Sequence, residues 1–374
     1  MANENVLEVR NLSVDYASDT GTVHAVDDVS FTIRRGEVFG LAGESGSGKS
    51  TLAFALTRLL KFPARITGGQ VLFHRPSESD LALPDHDPSG SIDILQLEPE
   101  KLRQFRWREL AIVFQSAMNA LNPVLDIQTQ ITDALRAHDA TMSRSQLRER
   151  AAELIRMVGI SPDRLRSYPH QLSGGMRQRA VIAIALALNP ELIIMDEPTT
   201  ALDVVVQREI LNQIKTLQAS LGFSVIFITH DLPLLLEICD HVAIMYAGRL
   251  VEVASQEQLI NHACHPYSYG LMHSFPEVFG EKKLMQGIPG HPPDLRDLPP
   301  GCPFAPRCSH AFTACREVTP VLRRQGCGTP VHLVSCHLYD PAHNTGQPPA
   351  SLGDEPELDQ ALDMHRILPV GGAQ

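Results

Sequence analysis

Apolar and polar positions alternate, with gaps, over residues 6–16 (VLEVRNLSVDY) and again over 23–33 (VHAVDDVSFTI). The turn-forming stretch SDTG lies between them, so two antiparallel strands are predicted. Four later runs are compact and mostly apolar: VFGLAG (38–43), LIIMDE (192–197), SVIFITH (224–230) and HVAIMY (241–246). Helical patterns fall between or after them. TLAFALTRLL follows the first, residues 122–188 are mostly helical with a proline-bearing break at SPDRLRSYPHQLSGG, and VVVQREILNQIKTLQASLG and LPLLLEICD separate the last three. Strands alternating with helices in this way imply an α/β fold around a largely parallel sheet. Residues 74–93 are polar, acidic and rich in Pro, Ser and Asp, the composition of a surface loop or insertion. Beyond about residue 260 the periodicity gives way to Pro, His and Cys, which predicts a separate appendage. Residues 341–374 lack the apolar density to pack and are expected to be disordered, with 354–368 a candidate short acidic helix.

Composition narrows the function classes. The chain has 374 residues, 43% of them hydrophobic, enough for two or three domains with ordinary cores. A net charge of −11 and no sustained basic run argue against nucleic-acid binding. The start, MANENVLEVR, is not a signal peptide, and the longest apolar run, Ala180 to Leu188, falls short of the roughly 18 residues that span a bilayer. A cytoplasmic chain is expected, with any membrane role supplied through a partner. Seven cysteines in such a setting point to metal chemistry more than to disulfides.

Gly43-Glu44-Ser45-Gly46-Ser47-Gly48-Lys49-Ser50 fits G-x-x-x-x-G-K-[ST] between a predicted strand and a predicted helix, followed by Thr51. Glycines at 43, 46 and 48 let a ring of backbone N–H groups, Ser45 among them, surround phosphate oxygens. Lys49 would reach the β- and γ-phosphates, Ser50 would ligate Mg²⁺, and the helix N-terminus adds its positive end. Asp196 and Glu197 close the strand 192–197 at the edge where open α/β sheets bind ligands. Asp196 is expected in the Mg²⁺ shell and Glu197 beside the attacking water. His230 ends the strand 224–230 in the same way, so the three strand ends can converge on one phosphate.

The sequence LSGGMRQR (172–179) resembles the signature motif of ABC-type ATPases. It stands with the P-loop, Gln115 in VFQSAMNALNP, Met195-Asp196-Glu197, Ala201-Leu202-Asp203 and His230 in that family's order and approximate spacing, across residues 6–250. The resemblance implies a P-loop ABC-type ATPase domain over 1–260: a mostly parallel sheet, an antiparallel β subdomain and a helical signature subdomain at about 122–188. It further implies that two such domains pair head to tail, with Ser173, Gly174 and Gly175 of one facing the γ-phosphate held by Lys49 of the other. It makes Glu197, His230 and Gln115 catalytic, with Gln115 also near Mg²⁺, and it gives Tyr16 the position of the aromatic that stacks on adenine.

The C-terminal part resembles the extension of ATPase subunits in the oligopeptide/dipeptide/nickel branch of ABC importers, through HPYSYGLMHSFPE, IPGHPPDLRDLPPGCPFAPRC, ACREVTP and SCH. Ala117 departs from that branch, which commonly carries Pro there, in the loop that senses the membrane partner. The resemblance implies peptide uptake, with nickel or another small solute as the alternative, and a peripheral subunit on the cytoplasmic membrane face. Its partners would be a second ATPase subunit, two transmembrane permeases docked through Gln115–Pro123 and the region 122–170, and indirectly an extracytoplasmic solute-binding protein. A soluble ATPase acting on DNA or ribosomes is the rival reading. Against it stand the single cassette, the acidic charge and the lack of extended heptads between Lys49 and Ser173.

Within the extension (261–340), Cys302, Cys308, Cys315 and Cys336 follow the pattern C-x5-C-x6-C-x20-C. Four thiolates are the complement of a [4Fe–4S] cluster, and the spacing lacks the C-x2-C pairs common in structural zinc sites. A cluster is expected, with Zn²⁺ or free thiols as alternatives and Cys327 as an ambiguous fifth candidate. The resemblance supports the same four residues. Arg307 and Arg316, next to two of them, are expected to offset the cluster's charge.

Overall fold

The computed structural model describes residues 4–75, 91–115, 120–200, 202–274, 287–325 and 331–344, together with Leu352. Ala117, Ala201 and Cys327, residues 116–119 of the expected docking loop, 76–90 of the acidic stretch and most of the tail lie outside these residues.

Strands β1 (Asn5–Ser18) and β2 (Gly21–Arg34) pair antiparallel, and β4 (Ala64–His74) and β5 (Ser91–Asp93) complete a four-stranded sheet in the order β2-β1-β4-β5. The second sheet contains β3 (Val38–Ala42), β6 (Leu110–Val113), β7 (Leu192–Asp196), β8 (Ser224–Ile228) and β9 (His241–Tyr246), all parallel to their neighbours. It continues antiparallel through β10 (Arg249–Ser255), β12 (His332–Val334) and β11 (Arg323–Gln325), in the order β11-β12-β10-β9-β3-β8-β7-β6. The fold is therefore α/β as expected. The acidic stretch is not loop throughout: His74 ends β4 and residues 91–93 form β5, registered opposite residues 72–74.

The apolar runs lack clean alternation because both faces of this sheet are covered. Val225 and Phe227 of β8 join one core with Ile131, Leu154 and Ile182 of the helical layer. Ile226 and Ile228 join a second core with Val9, Val29 and Val71 of the antiparallel sheet and Leu52 of helix α1 (Lys49–Leu56). The helical layer comprises α3 (Ile127–Arg136), α4 (Arg144–Met157) and α5 (Gly174–Ala185), with short 3-10 turns at the predicted break. Asp126, Ser143 and Ser173 each cap the following helix by accepting a backbone N–H. Helices α2 (Pro99–Phe105), α6 (Val204–Leu221), α7 (Leu232–Ile238), α8 (Gln256–His262), α9 (Pro266–His273) and α10 (Thr313–Glu317) complete the described α-helices. No helix among the described residues is long and apolar enough to cross a membrane.

The extension is not a separate appendage. Its strand β12 pairs with β10, and the backbone N–H of His24 in β2 donates to Leu295 O at 3.3 Å. Arg296 reaches Thr20 Oγ1 at 2.8 Å in the β1–β2 turn. Sequence periodicity misses this because short segments held by isolated polar contacts carry no repeat.

Glu252, 0% exposed in β10, is the main bolt. It accepts hydrogen bonds from His332 Nε2 at 2.7 Å and from the backbone N–H groups of Cys264 at 2.7 Å and His265 at 2.9 Å. One buried carboxylate thus joins β10, the start of α9 and β12. Burial lowers the His332 pKa, but hydrogen bonds with Cys264 and Glu252 and their charges outweigh it and push it up to about 9. A raised histidine pKa stabilises the fold fully below its ordinary 6.5 and loses that contribution as pH rises through about 9. Glu252→Ala, which strands the imidazolium and two N–H groups, should cost about 3–5 kcal/mol, read as a lowered thermal midpoint. The wild-type midpoint should also fall between neutral pH and about pH 10, and that particular dependence should be blunted in the variant.

Candidate functional site

Strand β3 ends at Ala42 and the chain turns through Gly43–Ser50 into α1. Gly43 has φ +148°, and a Cβ there would lie 2.2 Å from Met245 O; Gly48 has φ +103°, and its Cβ would lie 2.1 Å from Ala25 O. The loop is wedged between β2 and the end of β9, where only glycine fits. Lys49 Nζ donates to Gly43 O at 2.8 Å and Glu44 O at 2.9 Å. Burial lowers its pKa, opposed by the charges of Glu197, Asp196 and Glu44. Ser45 and Gly46 are exposed at the crest, Ser50 and Thr51 are half-buried, and Tyr16 of β1 brings its hydroxyl within 3.2 Å of Thr51 Oγ1.

Asp196 closes β7 at 1% exposure, and its Oδ1 has no hydrogen-bond partner. Burial raises its pKa while a hydrogen bond with Ser50 lowers it. A buried carboxylate oxygen that lacks a donor, beside a hydroxyl, is a donor set suited to a hard cation, so these residues fit Mg²⁺.

Glu197 follows with φ +45°, an uncommon conformation for a residue with a side chain. Its carboxylate accepts from Gln115 Nε2 at 2.8 Å, Thr200 Oγ1 at 2.9 Å and His230 Nδ1 at 3.1 Å. The three residues expected to act together therefore meet on one carboxylate, and Thr200 is a partner the sequence did not disclose. Burial pushes the Glu197 pKa up, but hydrogen bonds from His230 and Thr200 and the charges of His230 and Lys49 prevail and hold it below the usual carboxylate value. Ser173, Gly174 and Gly175 belong to another layer, at the start of α5. Ser173 Oγ accepts the Met176 N–H at 3.3 Å, and its side chain is exposed.

This geometry agrees with comparisons to known proteins. The ABC transporter family matches residues 26–200, and the family described as oligopeptide/dipeptide transporter, C-terminal region, matches residues 251–315. The dipeptide transport ATP-binding protein of Bacillus subtilis is 40% identical over 90% of this chain and 96% of its own length. The oligopeptide transport ATP-binding protein of Salmonella typhimurium is 41% identical over 84% and 90%. The chain belongs to the ATP-binding subunits of ABC transporters. Among solved structures, a dimeric ATP-binding cassette in a post-hydrolysis state with ADP and Pi matches with a TM-score of 0.56 and 27% identity, over 67% of this chain and 98% of that one.

In this ABC ATPase the extension brings Cys302, Cys308, Cys315 and Cys336 to one pocket, lined also by His265, Phe304, His310 and His337. Cys302 N–H donates to Cys315 O at 2.8 Å. Burial pushes the Cys302 thiol up to about 11 and Cys308 up to about 12, and raises Cys315 and Cys336 as well. The charge of Arg316 opposes the rise at Cys315 without reversing it. Arg307 does something else: its guanidinium pairs with Glu44 of the P-loop through Nη1 at 2.8 Å and Nη2 at 2.9 Å. Nothing in the sequence links positions so far apart. Glu44 occupies a variable position of the phosphate motif, and Arg307 reads as a neighbour of Cys308.

The two glycines at opposite ends of the wedge criterion separate cleanly. A Cβ on Gly46 meets nothing within 4 Å, whereas one on Gly48 would strike backbone. Gly46→Ala in the ABC ATPase should cost about 1–2 kcal/mol of stability from its positive φ alone. Gly48→Ala should cost visibly more and abolish ATP binding, as measured by thermal unfolding and nucleotide titration.

Proposed function

We propose that this ATPase subunit powers peptide uptake, and that the four extension cysteines hold a [4Fe–4S] cluster. The observation that carries the first reading is one chain holding both the ABC phosphate site and, at 251–315, the C-terminal region of oligopeptide/dipeptide transporters. Relatives named for dipeptide and oligopeptide transport support peptide over nickel as cargo. The subunit would lie on the cytoplasmic membrane face, pair with a second ATPase subunit, and dock on two permeases through Gln115–Pro123 and the helices of 122–170, with a solute-binding protein delivering cargo.

In this reading Tyr16 stacks on adenine, and the N–H groups of the 43–51 turn, apart from that of Glu44, surround the phosphates. Lys49 exchanges its contacts with the Gly43 and Glu44 carbonyls for phosphate oxygens. Ser50 and Asp196, with Gln115 nearby, hold Mg²⁺, which when bound offsets phosphate charge. Glu197, kept ionised by its neighbours, accepts a hydrogen bond from the attacking water. His230 holds that carboxylate in place, and Gln115 senses γ-phosphate from the permease side. Ser173, Gly174 and Gly175 of the second subunit close the site from the opposite face, their exposed helix start offering N–H groups to the γ-phosphate.

The cluster reading rests on four cysteines, Cys315 buried and the others half-buried, that line one pocket. Zinc at about 2.3 Å from each sulfur would need all four within roughly 4 Å of one another. Among the described residues, the groups with donors inside 4.8 Å are Glu252/Cys264/His332 and His337/Asp340/His343, neither of them this quartet. A larger inorganic core suits the wider set, and it would supply order to a segment poor in apolar periodicity.

Glu197→Gln preserves shape and removes the charge. It should retain ATP while turnover falls by about 100-fold or more, and wild-type turnover in that variant would sink the assignment. With its permeases in proteoliposomes, the wild type should hydrolyse ATP faster with a loaded peptide-binding protein than with nickel. Anaerobically purified protein should contain about four iron and four sulfide per chain, lost in Cys302→Ser. One zinc without sulfide would overturn the cluster.

A further inference from the structure

Glu44 is an acid placed inside a loop that binds a polyanion. Alone, its carboxylate would repel the phosphates the loop exists to hold. The extension answers this charge. Arg307, with a side chain only 5% exposed, makes a two-point pair with both Glu44 oxygens. The guanidinium is itself held by Pro289 O, 2.7 Å from Nε, by Tyr246 Oη, 3.2 Å from Nη1, and by the faces of Tyr246 and Phe304 at 5.7 and 5.8 Å.

The extension also grips the Glu44 backbone. Its N–H donates to Tyr267 Oη at 2.8 Å, and Tyr267, in α9, is fully buried. With that N–H turned toward Tyr267, the carbonyl of the same peptide, Gly43 O, points the opposite way, where it accepts from Lys49 Nζ at 2.8 Å. The orientation of one peptide therefore decides where the phosphate-binding lysine rests, and that peptide is set from outside the ATPase cassette.

We propose that Arg307 is a positioning residue of the nucleotide site: by pairing with Glu44 it neutralises and aligns the P-loop, so the C-terminal extension sets affinity for the phosphates of ATP. The proposal deepens the reading of this loop as the ATP site. Because wild-type protein is the reference, failure of that reading would appear separately, as wild type that binds no ATP.

The test compares adenosine, AMP, ADP and ATP binding to full-length wild type, Arg307→Met, Arg307→Lys, Glu44→Gln and Glu44→Gln/Arg307→Met. Arg307→Met should weaken ATP by about 5- to 150-fold, with the loss growing with phosphate number and adenosine affinity unmoved. Arg307→Lys, a cation without the fork, should lie between. Glu44→Gln should bind ATP at least as tightly as wild type, and the double variant should recover most of what Arg307→Met loses. In turnover assays KM should rise more than kcat falls. Adenosine binding serves as the folding control. An equal loss for adenosine and ATP, unchanged ATP affinity in Arg307→Met, or no recovery in the double variant would each overturn the proposal.

Discussion

The constraint on which the rest depends is the shape of one glycine-rich turn. Its N–H groups can point at a phosphate only while Gly43 and Gly48 hold dihedrals that other residues avoid, and both sites are pressed against neighbouring carbonyls. Ala25 belongs to the antiparallel sheet and Met245 to the parallel one. The wedge therefore fixes the turn only if the two sheets keep their relation, which the core shared by β1, β4, α1 and the sheet's second face secures. Burial of apolar residues far from the nucleotide is thus what keeps a backbone ring open.

Much of this was legible in the chain. Short apolar runs ending in Asp196-Glu197 and His230 announced strands whose carboxyl edges share a site, because a doubly covered strand must be apolar until it meets the ligand. The P-loop was legible because its chemistry needs glycines at fixed offsets. What escaped was contact between distant segments. The pairs Glu44–Arg307 and Glu252–His332 join residues 263 and 80 positions apart. Such pairs leave no period and no motif, since a single ion pair can be drawn from any two loops the topology brings together. For the same reason Arg307 reads as a companion of Cys308 until its direction is known.

The extension then takes on a different character. Two of its strands lengthen the central sheet, Arg296 reaches the β1–β2 turn beyond Tyr16, and Tyr267 and Arg307 hold Glu44 from both sides. Arg307 and Cys308 are adjacent in the chain, so whatever orders the cysteine pocket also constrains the backbone carrying the P-loop's counter-ion. A segment poor in helical or strand periodicity can still be firmly placed when a central buried polar group is fully answered, as Glu252 is.

Asp196 and Glu197 show how the same surroundings separate two like residues. They are neighbours in sequence, yet burial raises the pKa of the first while donors and cations lower that of the second. The difference follows from backbone direction. Asp196, still in the strand, points its carboxylate into the sheet edge, where one oxygen finds no donor. Glu197, turned by its positive φ, emerges where Gln115, Thr200 and His230 can each donate to it. One carboxylate keeps an oxygen without a donor, and the other is held by three. Groups whose environments drive their pKa values apart are suited to different tasks. A single backbone turn at the end of β7 thus gives two adjacent carboxylates opposite surroundings across one peptide bond.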